Sequence, residues 1–359
     1  MSLRQPTMNQ SDLSLSRKVK FFQLAVFDQI VATGSLVKAA AALNLTQPSV
    51  TKIVQELEYY FKAPLLIRSH RGIAVTELGA LVSHRSRSIL AGVRRLHDDV
   101  EACQRGMLGR VSLGTSNSES ASILPGALDL LKERAPRLIV SVRQGQMNEL
   151  SSQLKAGELD IVVGRIPDNW EWHPDATELT AVPLYREEFC IVAGVNHVLH
   201  AGGPPVWRTM HEFQWLLPPR DTPLRQHADS LLSRVGMPRP TRIVESNSLL
   251  DNIGILQNNS TLALTVKGAI NPYLQDGKLG IIDAGEALKY GEVGYFLPAN
   301  RDHSDALHVL VQCLNESARL IGAAAGAQDP DSATPSELAT EWRASPLIPA
   351  TYSPSIAVQ

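Results

Sequence analysis

The chain has 359 residues, 44% of them hydrophobic, and a formal net charge of −2, which suits two or three compact units with sizeable cores. Its three cysteines (Cys103, Cys190, Cys313) are far apart, which excludes a disulfide framework and a zinc-ligand spacing and points to a reducing compartment. The opening MSLRQPTMNQSDLSLSRKVK has no apolar h-region and the chain has no run of about 18 apolar residues, so neither a signal peptide nor a membrane span is expected, and the cytoplasm follows.

Residues 1–16 are polar and read as disordered. Between 17 and 76 the pattern predicts three helices and a short hairpin. Phe21, Leu24, Ala25 and Phe27 open the first helix, which ends near Gly34. Ser35 can cap the second, with Leu36, Ala39, Ala40 and Leu43 turned inward. Thr46 can cap the third, and Pro48 sits in its first turn, where a missing N–H costs little. Val50, Ile53, Val54 and Leu57 then recur at i, i+3, i+4 and i+7 as a buried stripe, opposite Gln47, Thr51 and Gln55. After Pro64, LLIR and IAVT flank the basic turn SHRG as a wing.

A long helix is expected over residues 77–105, roughly 43 Å at about 1.5 Å per residue. Val82, Ser86, Ile89, Val93, Leu96, Val100 and Cys103 form a heptad-like seam, and a second copy of the chain is the simplest partner for it. From Arg110 strand-like and helical runs alternate: RVSLGT, LIVSVRQ and LDIVVGR with helices between, then, after Pro183, FCIVAGV, TRIVES, TLALTV and LGIID, with helices near 222–235, 249–257 and 267–275. EVGYFLPA and a helix over 305–324 close the series. This alternation predicts a parallel sheet wrapped by helices, in two halves with a cleft between them. The tail 326–359 reads as a flexible extension.

The front of the chain is basic. Residues 17–110 carry 14 Lys+Arg against 7 Asp+Glu, a net +7, which leaves −9 for the remainder of a chain with net −2. A polyanion partner for the front alone is implied. Gln47 can pair with adenine in a major groove, Thr51 can touch a base edge or thymine methyl, and Lys52 can reach a base or phosphate. Ser35, Thr46, Pro48 and Ser49 shape the helix starts whose amides suit phosphate, and Arg68 and Arg71 on the wing suit the backbone or minor groove.

These residues carry a family resemblance. Gly34, Ser35, Ala39 and Ala40, the run Leu43 to Lys52 with TQPSVTK, Ile53, Leu57 and Glu58, PLL-x-R at Pro64 to Arg68, and Arg71, Gly72, Thr76 and Gly79 resemble the winged helix-turn-helix of LysR-type transcriptional regulators. The likeness extends at lower specificity through LKAGELDIVVGR and covers roughly 20–325. Phe61–Lys62 departs from the more usual Leu-Gly, and the tail is longer than the family needs. The resemblance implies a winged helix-turn-helix over 17–76, a dimerising linker helix over 77–106, and an effector domain over 110–325 of the periplasmic-binding-protein type. That domain would consist of two α/β subdomains, 110–182 with 284–325, and 183–283. It further implies double-stranded DNA as partner, a homotetramer built as a dimer of dimers, contact with RNA polymerase, and activation of a metabolic operon.

Ligands of open α/β sheets sit beyond the carboxyl ends of strands. Thr115, Ser116 and Ser118, then Gln146, and Ser246, Asn247 and Ser248 fall in such loops, and Arg165 follows LDIVVG. Hydroxyls, amides and a guanidinium there suit a small anion, a carboxylate or sulfonate, as effector. In the family, the equivalents of Ser116, Gln146, Arg165 and Asn247 line the effector pocket. His197 and His200 lack a third ligand, so no metal is expected, and no cofactor. The sequence has no nucleophile elbow, phosphate loop or H-E-x-x-H, so no enzyme is expected. An alternative from the same residues is a cytoplasmic solute-binding sensor that acts through protein partners.

Overall fold

The computed structural model describes residues 19–69, 72–105, 107–201, 207–258, 260–283, 288–299 and 303–324. The segments 1–16 and 326–359 and the wing residue Arg71 lie outside them. The chain divides into two units, one running to Arg110 and including Ser151–Asp160, the other comprising Val111–Leu150 and the residues from Ile161 onward.

The first unit contains α1 (Phe21–Thr33), α2 (Leu36–Ala42), α3 (Gln47–Phe61), the hairpin β1 (Leu66–Ser69) and β2 (Gly72–Val75), and α4 (Glu77–Gln104). In α1 the inward face is Leu24, Val26, Phe27 and Ile30, while Phe21 is exposed, so burial begins one turn later than the apolar pattern suggests. Gly34 ends this helix at φ 62, with its amide on the Ile30 carbonyl. Asn44, also left-handed at φ 53, turns α2 into α3, and Leu45 N donates to Ala40 O at 2.8 Å. Val50, Val54 and Leu57 of α3 enter the core formed by α1 and α2.

Thr76 joins the wing to α4. Its hydroxyl donates to Pro64 O (2.9 Å) and accepts from Gly79 N (2.9 Å), capping α4. A Cβ at Gly79 would stand 2.1 Å from Leu65 O, so glycine is required there by close approach. Glu58 accepts from Leu65 N and Leu66 N at 2.8 and 3.2 Å, which fixes the root of β1 to the end of α3. The Arg87–Asp28 pair (2.6 Å) and the Ser83 hydroxyl tie α4 to α1. Val82 and Ser86 are buried within the unit, but Ile89, Val93, Leu96 and Val100 are exposed in a row along α4. Arg95 donates to Gly157 O (2.7 Å) and Ser88 to Lys155 O (3.2 Å), which holds the 151–160 segment in this unit.

Among the described residues, the chain from Gly109 onward builds one nine-stranded sheet with its helices. Its elements are β3 (Gly109–Thr115), α5 (Asn117–Arg134), β4 (Leu138–Gln144), α6 (Met147–Ala156), β5 (Ile161–Arg165), β6 (Leu179–Gly194), α7 (Trp207–Met210), β7 (Gln214–Leu217), α8 (Pro223–Arg234), β8 (Arg242–Glu245), α9 (Leu249–Leu256), β9 (Thr261–Val266), α10 (Lys267–Gln275), β10 (Leu279–Ile282), β11 (Leu288–Pro298) and α11 (Asp305–Ala324). The strand order is β4-β3-β5-β11-β6-β9-β7-β8, with β10 also on β6. The sheet is mixed rather than wholly parallel. Strands β3 and β5 run parallel in one half and β7, β8 and β9 in the other, while β6 and β11 cross between them antiparallel.

Pro183 does not end a strand as its N–H-free backbone suggests. It lies inside the 16-residue β6 where the register against β11 slips, so that Tyr185 faces Val293 and Pro183 faces Gly294. A proline is tolerated where the ladder is already broken. The short β7, QWLL, carries no alternation because it is buried on both faces.

Candidate functional site

The first site is the exposed face of α3. Thr46 caps the helix: its Oγ1 accepts from Ser49 N at 3.4 Å and lies 2.8 Å from Ser49 Oγ. Pro48 occupies the first turn. Gln47, Pro48, Ser49, Lys52 and Gln55 are exposed and Thr51 is half-buried, on the side away from Val50, Val54 and Leu57. Ser35 caps α2, accepting from Lys38 N at 3.4 Å. Arg68 lies on β1. The buried stripe fixes the rotation of α3, and that rotation presents amide, hydroxyl and ammonium groups together. Such groups match base edges and phosphates.

The second site follows from strand register. The end of β5, Arg165, pairs with Val293 of β11, which pairs with Tyr185 of β6. The end of β9, Val266, pairs with Phe189 of β6. Both halves therefore bring their carboxyl strand ends to the same short stretch of the crossing strands, 185–189 and 288–293. In the first half Gly145 N donates to Thr115 O at 3.2 Å, so the loops after β3 and β4 meet. Thr115 itself is buried, with its hydroxyl on Ser116 O (3.2 Å), and Gln146 is exposed. Ser118 falls in the first turn of α5.

Arg165 is engaged through Nε and Nη2. Its Nε donates to Tyr290 O (2.9 Å), its Nη2 to Asp168 Oδ1 (2.7 Å), and its guanidinium lies 5.5 Å from the Tyr290 ring centroid. It fills the space above Gly291, where a Cβ would come within 2.8 Å of Nε. In the second half Ser246 N donates to Leu217 O (3.0 Å), and its hydroxyl accepts from Ser248 N (3.2 Å). Ser248 caps α9 by accepting from Asp251 N (3.4 Å), and Asn247 is exposed beside it. The ends of β7 and β8 are locked by Arg225, a buried guanidinium that donates to Pro218 O (2.8 Å), Asp229 (2.8 Å) and Glu245 (3.1 Å). These partners compensate the cost of burying its charge.

A family model described as bacterial regulatory helix-turn-helix protein, lysR family, matches residues 21–80, and one described as LysR substrate binding domain matches residues 104–319. The chain belongs to the LysR family. It is a ligand-responsive, DNA-binding transcriptional regulator of that type. Among curated LysR relatives, GbpR of Azospirillum brasilense is 24% identical over 301 residues, 84% of this chain and 87% of the relative. PcaQ of Agrobacterium fabrum is 27% identical over 306 residues, 85% of this chain and 96% of the relative. Both are transcriptional regulators. The fold is shared with full-length CbnR, solved in complex with its target DNA, at TM-score 0.58 and 20% identity over 83% of this chain and all of that one. No helix among the described residues is long and apolar enough to cross a membrane.

Two residues that brace the strand ends escape sequence reasoning. Arg225 and Glu187 look like ordinary surface charges in the sequence, but Arg225 bonds to Pro218 O, Asp229 and Glu245, and Glu187 to the Ser122 hydroxyl and two backbone amides. The one signal at Glu187 is a charge set just before the apolar run FCIVAG.

Proposed function

We propose that α3 enters the DNA major groove, with Gln47, Thr51 and Lys52 reading base edges and Ser49, Arg68 and Arg71 positioning the backbone. The observation that carries this reading is the polar face of α3, exposed opposite the buried Val50, Val54 and Leu57, with Ile53 of the same stripe half-buried. Two copies pair through Ile89, Val93, Leu96 and Val100 of α4, whose exposed row leaves apolar area to bury. Two such dimers form a homotetramer that spans successive grooves of a partly palindromic site. The protein acts in the cytoplasm, where its DNA is, as an activator of a metabolic operon through RNA polymerase, without catalysis of its own.

The effector is a small organic anion, a carboxylate or sulfonate, bound where the strand ends of the two halves converge. Ser116, Ser246 and Ser248 supply hydroxyls, Gln146 and Asn247 amides, and Arg165 charge. An anion reaches the Arg165 fork by displacing Asp168, which is itself 74% exposed. Ligand binding favours one closure of the halves and so changes the complex with DNA. Gel-shift titration of the full-length protein on DNA flanking its own gene tests the reading. Sequence-specific binding that weakens steeply with salt supports it, and binding indifferent to sequence and salt contradicts it.

A further inference from the structure

Glu187 is a buried carboxylate, 8% exposed, in the middle of β6. It stands opposite Gly291 of β11, where the register between the crossing strands is broken and the backbone takes φ +133. Its Oε1 accepts from Glu188 N (3.0 Å) and from Gly268 N (3.4 Å), in the first turn of α10, and its Oε2 accepts from the Ser122 hydroxyl of α5 (3.5 Å). Helix α5 follows β3 in the first half, helix α10 follows β9 in the second, and the two helices pack on each other. One carboxylate therefore bonds to the first half, to the second half and to the strand that joins them.

Position 268 shows how tight this junction is. A Cβ there would stand 2.4 Å from Ser122 Oγ and 2.5 Å from Glu187 Oε2, closer than atoms approach without displacement. Glycine lets the α10 backbone come down onto both groups. The negative charge is placed where the amides of α10 point and its helix dipole is positive, which offsets much of the cost of burial. Outward rotation of either half lengthens one of these bonds and leaves a buried carboxylate oxygen with a donor fewer.

We propose that Glu187 is a positioning residue that sets the separation of the two effector-domain halves, acting through Ser122 on one side and Gly268 on the other. The inference rests on the two-half reading of the domain but on neither the identity of the effector nor the DNA contacts. Its test contains no DNA and no effector, so its failure leaves those readings standing.

The test measures the distance between spin labels at Lys132→Cys on α5 and Ser230→Cys on α8 in the full-length protein, one label per half, with the labelled chain assembled into an excess of unlabelled chain so that only pairs within one chain are read. Cys103→Ser removes one native thiol. Cys190 and Cys313 are buried and stay unlabelled, and burial pushes the Cys190 thiol up to about 12. The otherwise unaltered protein is expected to give one narrow distance. Glu187→Ala and Gly268→Ala are expected to lengthen and broaden it, Ser122→Ala to do so to a smaller degree, and Glu187→Gln, which keeps an acceptor for Gly268 N, to restore it. Leu264→Ala, a core change, lowers stability without moving the distance. A Glu187→Ala distribution that superimposes on the unaltered one overturns the proposal. If that variant does not fold, an unchanged distribution in Ser122→Ala does the same.

Discussion

The N-terminus of α3 stands open to solvent, whereas that of α10 is filled by the chain's own Glu187 carboxylate. At α3 the cap is a neutral hydroxyl, Thr46, and Gln47, Pro48 and Ser49 after it are exposed. At α10 the cap position is Val266, which offers no side-chain bond, and the carboxylate comes from a strand eighty-one positions away in sequence. The same physical object, a helix N-terminus with its positive dipole, faces solvent in one place and joins two halves in the other. What decides between these uses is the surroundings: a polar surface at α3, a close-packed glycine junction at α10.

If the open terminus depends on its buried stripe for presentation, emptying that stripe gives the largest effect. Leu57→Ala should cost roughly 2–5 kcal/mol and lower the thermal midpoint, with DNA binding lost alongside the fold of the first unit. Retained stability would show that the stripe does not anchor α3. At the filled terminus, Glu187→Ala leaves the Gly268 and Glu188 amides short of an acceptor and should cost about 1–3 kcal/mol in denaturant unfolding. Thr46→Ala, which removes only an exposed cap, should cost about 1 kcal/mol. Were Thr46→Ala the more damaging of these two, the contrast between the termini would be wrong.

The smallest effect is on pH. His197 is buried, and desolvation, helped by His200, lowers its pKa below the ordinary value near 6.5. The folded protein then binds its proton less readily than the unfolded chain. The stabilisation is complete above about 6.5 and is lost as pH falls through the lower folded value. His197→Asn should flatten the fall of the thermal midpoint between about pH 7 and pH 5, and an unaltered pH profile would remove His197 from the account.

The winged helix was legible in the sequence because its parts are local. Caps at Ser35, Thr46 and Thr76 and a stripe at helical spacing each declare themselves within a few residues, and the long helix ends within a residue of its expected limit. The candidate effector site was legible only as loops. That Ser116 and Ser246 lie at strand ends follows from alternation, but where those ends meet depends on the crossing strands β6 and β11, and neither Pro183 inside β6 nor the unalternating β7 marks them. Arg165 illustrates the limit: its place after LDIVVG is readable, while its engagement by Tyr290, Asp168 and Gly291 comes from pairing across the sheet.

The central claim, that α3 reads DNA through its open face, is tested most directly by fluorescence anisotropy of the full-length protein on its own upstream duplex and on a scrambled one. A Gln47→Ala/Thr51→Ala variant that keeps the native thermal midpoint should lose about 1–3 kcal/mol of discrimination per base contact, so that its affinity for the two duplexes converges. If that variant still prefers the upstream duplex as strongly as the unaltered protein does, sequence is read elsewhere and the account of α3 is wrong.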